Sequence, residues 1–276
     1  MLTLATCCNA RFFGACLTLI NSAQRNASKS VQAIRVYDLG LKGWQRKMLK
    51  NLRLVEVVDF PKEITQLYPD FFNAKGFAWK QCIWIDLYKL PNRSLYLDSG
   101  IEILKDLSST ERLIQTDGIL LVEDENWYTH QLTHQACLRA MDATEEEANK
   151  YMLCSGIVGI DPNGSYLPMF EAAFEYSKLK ECLLGSSNEP TSKHRQDQSI
   201  LSILSARYAC PKQPLEIYAQ WEWPKVDDKT ILHVHRKRKG IRKPTPKANN
   251  KMSLTSWLTL AYYNFIRGKK NTQDYQ

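Results

Sequence analysis

One alternation constrains this chain more than any other feature: short apolar runs closed by turn formers, each followed by a stretch whose apolar residues recur at helical spacing. Leu2 to Cys7 reads as a first strand and Phe12 to Asn26 as a helix with its apolar positions at Phe13, Cys16, Leu17, Ile20 and Ala23. Ala33 to Tyr37 is a second strand ending at Asp38, and a helix follows at Trp44 to Asn51. Leu54 to Phe60 is a third strand, carrying Asp59 and stopped by Pro61. Strands separated by helices return in the same direction, so the expected fold is α/β, a mostly parallel sheet flanked by helices. Downstream the same reading gives a helix near Ile101 to Leu107, a strand at Gly118 to Val122 and a helix around Thr144 to Tyr151. A strand at Cys154 to Ile160 and helices at Tyr166 to Leu184 and Gln198 to Tyr208 complete it.

Within this order, the stretch from Phe77 to Glu102 couples an amphipathic helix bearing Lys80 to the run Leu95-Tyr96-Leu97, which ends in Asp98. Open α/β sheets bind ligands at the carboxyl ends of their strands, so Asp98 stands where a carboxylate holds a metal or a sugar. A lone Asp after a strand also serves as a turn former or helix cap. Asp197 before a helix is in the same position, as an N-cap or a functional carboxylate, and Lys80 reads equally as a solvated surface lysine.

The order of these residues resembles the nucleotide-sugar glycosyltransferases of the GT-A fold, which is Rossmann-like, over about residues 2 to 245. In that family an Arg or Lys on the helix precedes a Tyr-Leu-Asp-x-Asp strand. Here the strand reads Asp98-Ser99-Gly100, without the second carboxylate. Thr6 and Asn9, followed by the helix carrying Ser22, resemble the opening strand and helix that hold the base. Ser155-Gly156 is similar to the Asn-Ser-Gly strand beside the donor sugar, and Asp197-Gln198 to the Asp-Gln pair at a helix start. Gly240, Lys243 and Pro244 match the Gly-x-x-Lys-Pro element that clamps the diphosphate in the glycogenin-like retaining branch, which also includes lipopolysaccharide galactosyltransferases. There a metal-binding His lies three residues before the Gly; this chain has Lys237 at that position and His235 two residues earlier.

The resemblance implies a hexosyl-transferring enzyme with a nucleoside diphosphate sugar donor, UDP-linked, and a glycan, lipid-linked or protein acceptor. It implies donor binding by Thr6, Asn9, Lys80, Asp98, Ser99, Ser155, Gly156, Gly240 and Lys243, and catalysis at Asp197 and Gln198. It further implies Mn2+ or Mg2+ held by Asp98 and His235. Cleaving the sugar from its diphosphate needs cations at the leaving group and carboxylates near the sugar. Lys80, Lys243 and Arg242 suit the first, Asp197 the second, with lysine and arginine replacing part of the metal's charge. A non-catalytic nucleotide-sugar or glycan-binding relative is the alternative that a degraded Asp-x-Asp motif also fits. A sugar-1-phosphate nucleotidyltransferase is disfavoured, because no Gly-rich phosphate loop follows the first strand.

Charge divides the chain. The 37 Lys and Arg exceed the 29 Asp and Glu by 8. Residues 230–251 hold eight of these cations and no acid, so the remainder balances to zero. The expected organisation is therefore a GT-A-like domain over 1–229, a basic segment over 230–251 that closes on the diphosphate, and an amphipathic helix over 252–276. Trp257, Tyr262 and Phe265 with cationic flanks suit an interfacial helix and a peripheral membrane contact, or equally a helix packed on protein. Nucleic acid is not expected as a partner, since the basic run lacks interleaved aromatics.

Eight cysteines without a Cys-x-x-Cys pair point to a reducing, cytoplasmic setting with membrane association, and Met1 to Cys8 lacks a basic n-region. His130 and His134 stand at helical i, i+4 spacing, without the Glu of a His-Glu-x-x-His motif.

Overall fold

A computed structural model describes residues 1–60, 77–185, 194–221 and 226–234. Strand β1 (Leu2–Cys8) runs through the middle of a seven-stranded sheet ordered β3-β2-β1-β4-β7-β6-β8. The others are β2 (Val31–Asp38), β3 (Val55–Asp59), β4 (Ser94–Leu97), β6 (Ile119–Tyr128), β7 (Tyr151–Ile160) and β8 (Gln213–Pro214), while β5 (Ile101–Ile103) belongs to a second sheet. β1 pairs in parallel with both β2 and β4, and β2 with β3. β7 runs antiparallel to β4 and β6, and β8 is parallel to β6. The sheet is thus mostly parallel, with β7 as its reversed member.

Helices cover both faces, which is why β1 reads as a near-continuous apolar run rather than an alternating one. One face carries α1 (Phe13–Asn26), α2 (Gly43–Lys50) and the small sheet. The other carries α3 (Trp79–Tyr88), where Trp84 lies against Tyr96 and Phe170 with ring centroids 6.3 and 5.8 Å apart. α4 (Ser108–Asp117) ends at Gly118, whose φ of 75° supplies the left-handed C-cap. α5 (Gln135–Ala140) and α6 (Glu145–Ala148) lead into β7, and α7 (Leu167–Ser177) and α8 (Lys180–Leu183) follow it. α9 (Gln196–Arg207) packs on β7 and α7, and α10 (Leu215–Tyr218) precedes the short strands β9 (Ala219–Gln220) and β10 (Leu232–Val234).

Four expectations are corrected. Residues 101–103 form a strand, because Ile101 and Ile103 are buried on either side of Glu102 with period two; β5 pairs antiparallel with β10, and the helix begins only at Ser108. The helix expected to reach Tyr151 spans only Glu145–Ala148, started by a Thr144–Glu147 capping box, and Tyr151 opens β7. The expected helix over 166–184 is two, divided at Lys178 and Leu179. His130 and His134 do not share a helical face: Thr129–Leu132 is a 3-10 turn, and His134 precedes α5. Among the described residues no helix is long and apolar enough to cross a membrane.

Candidate functional site

The chain order in the sheet reverses between β1 and β4: the strands advance outward from β1 to β3, then return to β1's other side. Such a switch point opens a crevice at the carboxyl ends of the two strands. Cys7 and Cys8 end β1 there, and Asp98 follows β4.

Lys80 reaches this crevice from the first turn of α3 and is 5% exposed. Its Nζ donates to Asp98 Oδ2 at 3.2 Å and to Ser155 Oγ at 3.3 Å, and lies 3.2 Å from Asp197 Oδ2 as an ion pair. Asp197, in the first turn of α9, is itself 3% exposed, while the Asp98 side chain is 44% exposed. Asp98 is therefore the face the cluster shows to solvent, with Lys80 and Asp197 behind it. Burial opposes the Lys80 charge, but the carboxylates of Asp197 and Asp98 outweigh it and hold the ammonium above lysine's usual range. Asp197 is pulled both ways. Burial raises its carboxyl above the ordinary 3.8, against the attraction of Lys80 and a hydrogen bond from Ser155.

Asp98 is fixed from a second side. Tyr96 donates its hydroxyl to Asp98 Oδ1 at 2.8 Å, and Cys7 Sγ lies 3.3 Å from the same hydroxyl. With the Tyr96 proton committed to the carboxylate, the Cys7 thiol donates to Tyr96. Burial pushes that thiol up to about 12, with the Asp98 charge adding to it, so it keeps its proton at neutral pH. Lys80 Nζ also stands 5.7 and 6.0 Å from the ring centroids of Phe77 and Tyr96.

Backbone geometry explains two further residues. Asp98 N–H donates to Gly156 O at 2.9 Å, and a Cβ on Gly156 would meet Asp98 Oδ2 at 2.7 Å, so only glycine lets the carboxylate lie against β7. Gln196 adopts φ 40° immediately before Asp197, a left-handed conformation at the start of α9.

The structure thus brings together Lys80, Asp98, Ser155, Gly156 and Asp197. Ser99 is buried in the turn after β4, and Gln198 occupies the first turn of α9 beside Asp197. Thr6 is fully buried in β1, and its hydroxyl has no hydrogen-bond partner among the described residues. Asn9 accepts from the N–H groups of Arg11 and Phe12, which shapes the turn into α1. Ser22 accepts from Ile103 N–H and donates to Leu19 O, tying α1 to β5. Asp38 and Asp59 share Arg46, a tie between strand ends and α2. His235, Lys237, Gly240, Arg242, Lys243, Pro244 and the segment 252–276 lie outside the described residues. Sequence reasoning missed Tyr96 and Cys7. Their alternate positions from Asp98 and in β1 were the signal, hidden because both look like ordinary core residues.

Among the described residues no group of three His, Cys, Asp or Glu is placed to hold a metal ion. Asp98 brings one carboxylate, both of its oxygens already accept from Tyr96 and Lys80, and Gly100 adds none. These described residues alone do not fit a divalent cation, which prefers several oxygen ligands.

No protein-family model matches the chain, and no curated protein matches it in sequence. Solved structures do match in fold, and the fold is GT-A-like. Mouse xyloside xylosyltransferase 1 in its apo form superposes with a TM-score of 0.55 at 11% identity, covering 85% of this chain and 97% of that one. An active-site mutant of LgtC gives 0.53 at 10% identity, covering 95% and 96%. The bifunctional glycosyltransferase WbbM, also apo, gives 0.53 at 11% over 85% of this chain, which spans 45% of WbbM's length. All three neighbours are glycosyltransferases; at these identities the likeness concerns the fold.

Proposed function

We propose that this protein transfers a hexosyl group from a nucleoside diphosphate donor, UDP-linked, to a glycan or lipid-linked acceptor. The observation that carries this reading is the buried Lys80 ammonium between Asp98 and Asp197 at the switch point of a GT-A-like sheet. Heterolysis of the donor leaves negative charge on the diphosphate and positive charge on the sugar. A fixed cation beside carboxylates, already desolvated, stabilises both with little reorganisation. Asp98, exposed and held by Tyr96 and Lys80, faces the donor. Asp197, buried behind Asp98, holds the Lys80 ammonium through a 3.2 Å ion pair at Oδ2 and is assigned to orient or stabilise at the sugar. Because the described donor set does not by itself fit a metal, Lys80 is assigned part of the charge that Mn2+ or Mg2+ would carry. His235, Gly240 and Lys243 are proposed to complete the diphosphate side, and 252–276 to make a peripheral membrane contact.

Thermal-shift titration with UDP, GDP, CDP and ADP, with and without Mn2+, tests the donor site, since a ligand of the native state raises its apparent stability. The expected outcome is a UDP-selective shift that survives chelation at least in part. No shift with any nucleotide sinks the reading. A second reading, a non-catalytic nucleotide-sugar or glycan-binding relative, is favoured by Gly100 in place of the second carboxylate. Slow release of UDP from a UDP-sugar without acceptor marks an enzyme; binding with no release marks the relative.

A further inference from the structure

β7 is reversed against β4, so its residues before Gly156 run out past the carboxyl end of β4, beyond Asp98. β6 accompanies it, and this two-stranded ribbon, edged by the short β8, lies on the opposite side of β4 from β1. At its tip Tyr128 and Tyr151 are paired, their rings stacked 5.0 Å apart and 18° from parallel. On Tyr128 the His130 ring also stacks, 5.9 Å away and 8° from parallel, steadied by an Nδ1 contact of 3.1 Å to Ala148 O. Tyr128 is 41% exposed and His130 is exposed as well. The exposed Tyr128 and His130 rings and the half-buried Tyr151 ring form a rigid stack, which meets a ligand with its edges and with the faces not turned on one another. Tyr151 and Ser155 are four residues apart on β7, so at most about 13 Å of strand separates them. A short oligosaccharide spans that separation.

We propose that Tyr128, Tyr151 and His130 form a subsite for a neutral pyranose of the acceptor, resting on the assignment of a sugar-nucleotide site at Asp98. The negative π-face of an aromatic ring attracts the C–H face of a pyranose, as it does the positive edge of another ring. Glu123 and Glu125 lie near enough to Tyr151 to act on its charge. Lys150 and Lys212 act in turn on Glu123, so charges of both signs ring the platform and a neutral pyranose suits it better than the diphosphate end of the donor. With the nucleotide proposed to lie on the β1 side of the switch point, the β6–β7 ribbon borders it on the other side of β4.

A glycan array of neutral and sialylated oligosaccharides, probed with the full chain, tests the subsite. Wild type is expected to bind neutral glycans, Tyr128→Phe to keep that binding, and Tyr128→Ala and Tyr151→Ala to weaken it about tenfold, equivalent to about 1.4 kcal/mol. Thermal melts confirm that each variant is folded, and each is expected to keep the UDP-induced shift of the wild type. Binding to no neutral glycan, binding confined to sialylated ones, or binding unchanged in both alanine variants overturns the proposal. If neutral glycans bind through the tyrosines but no nucleotide shifts the wild type, the platform stands as a glycan site and the donor reading fails.

Discussion

Removing the Lys80 ammonium strands Asp197, since the carboxylate is buried and Lys80 is its cation. Lys80→Met is expected to cost about 3 kcal/mol at neutral pH in urea unfolding, the lower end for breaking a buried pair by deleting one member. That cost shrinks toward low pH, where Asp197 takes up a proton, and grows as pH rises through its raised pKa. A loss independent of pH excludes Asp197 as its cause. The same raised carboxyl predicts the activity profile: with ionised Asp197 as the working form, kcat/KM for donor hydrolysis falls with acidity through a value above 3.8. Asp197→Asn is expected to lose that acid limb together with most of the rate. At Gly156 the new methyl group meets the Asp98 carboxylate, whose exposure lets it swing away. Gly156→Ala is therefore expected to cost on the order of 1 kcal/mol in stability while donor hydrolysis falls much further; equal, small losses in both would show that the carboxylate's position is immaterial.

At the scale of elements, the start of α9 places Asp197. Gln196 pays for this placement with a left-handed φ, in the kind of strained position that recurs at functional sites. Gln196→Gly is expected to be near neutral, because glycine adopts that φ without strain, whereas Gln196→Val is expected to destabilise by about 1 kcal/mol or more. Chemical unfolding of the pair reads the difference directly. Alternation made most elements legible in the sequence: the run from Leu2 and the one from Leu95 could only be strands once turn formers closed them. Ile101-Glu102-Ile103 was misread because three residues are too few for period two to show, and its partner β10 lies more than a hundred residues downstream. The reversed direction of β7 was equally invisible, since Cys154 to Ile160 is apolar enough for a strand of either sense. The Lys80, Asp98 and Asp197 grouping was legible as an order of residues. The support from Tyr96 and Cys7 was not, because a buried Tyr or Cys in a strand looks the same whether it donates to a carboxylate or merely fills space.

At the scale of the molecule, the sheet separates two apolar layers, and the polar cluster sits at one end of it. Lys80 and Ser155, which touch through a 3.3 Å hydrogen bond, stand 75 positions apart in the chain, and Asp197 follows later still. Closing such long loops is slow compared with forming a helix or a local strand pair. The crevice therefore has a history: while the chain emerges in order, α3 and β4 are present with Lys80 and Asp98 but without the carboxylate that neutralises the lysine from behind. The proposed capacity to bind a nucleotide is then expected only after α9 docks. In stopped-flow refolding, nucleotide-dependent fluorescence is expected to lag far-ultraviolet circular dichroism, and coincident phases would show that the crevice assembles with the first strands.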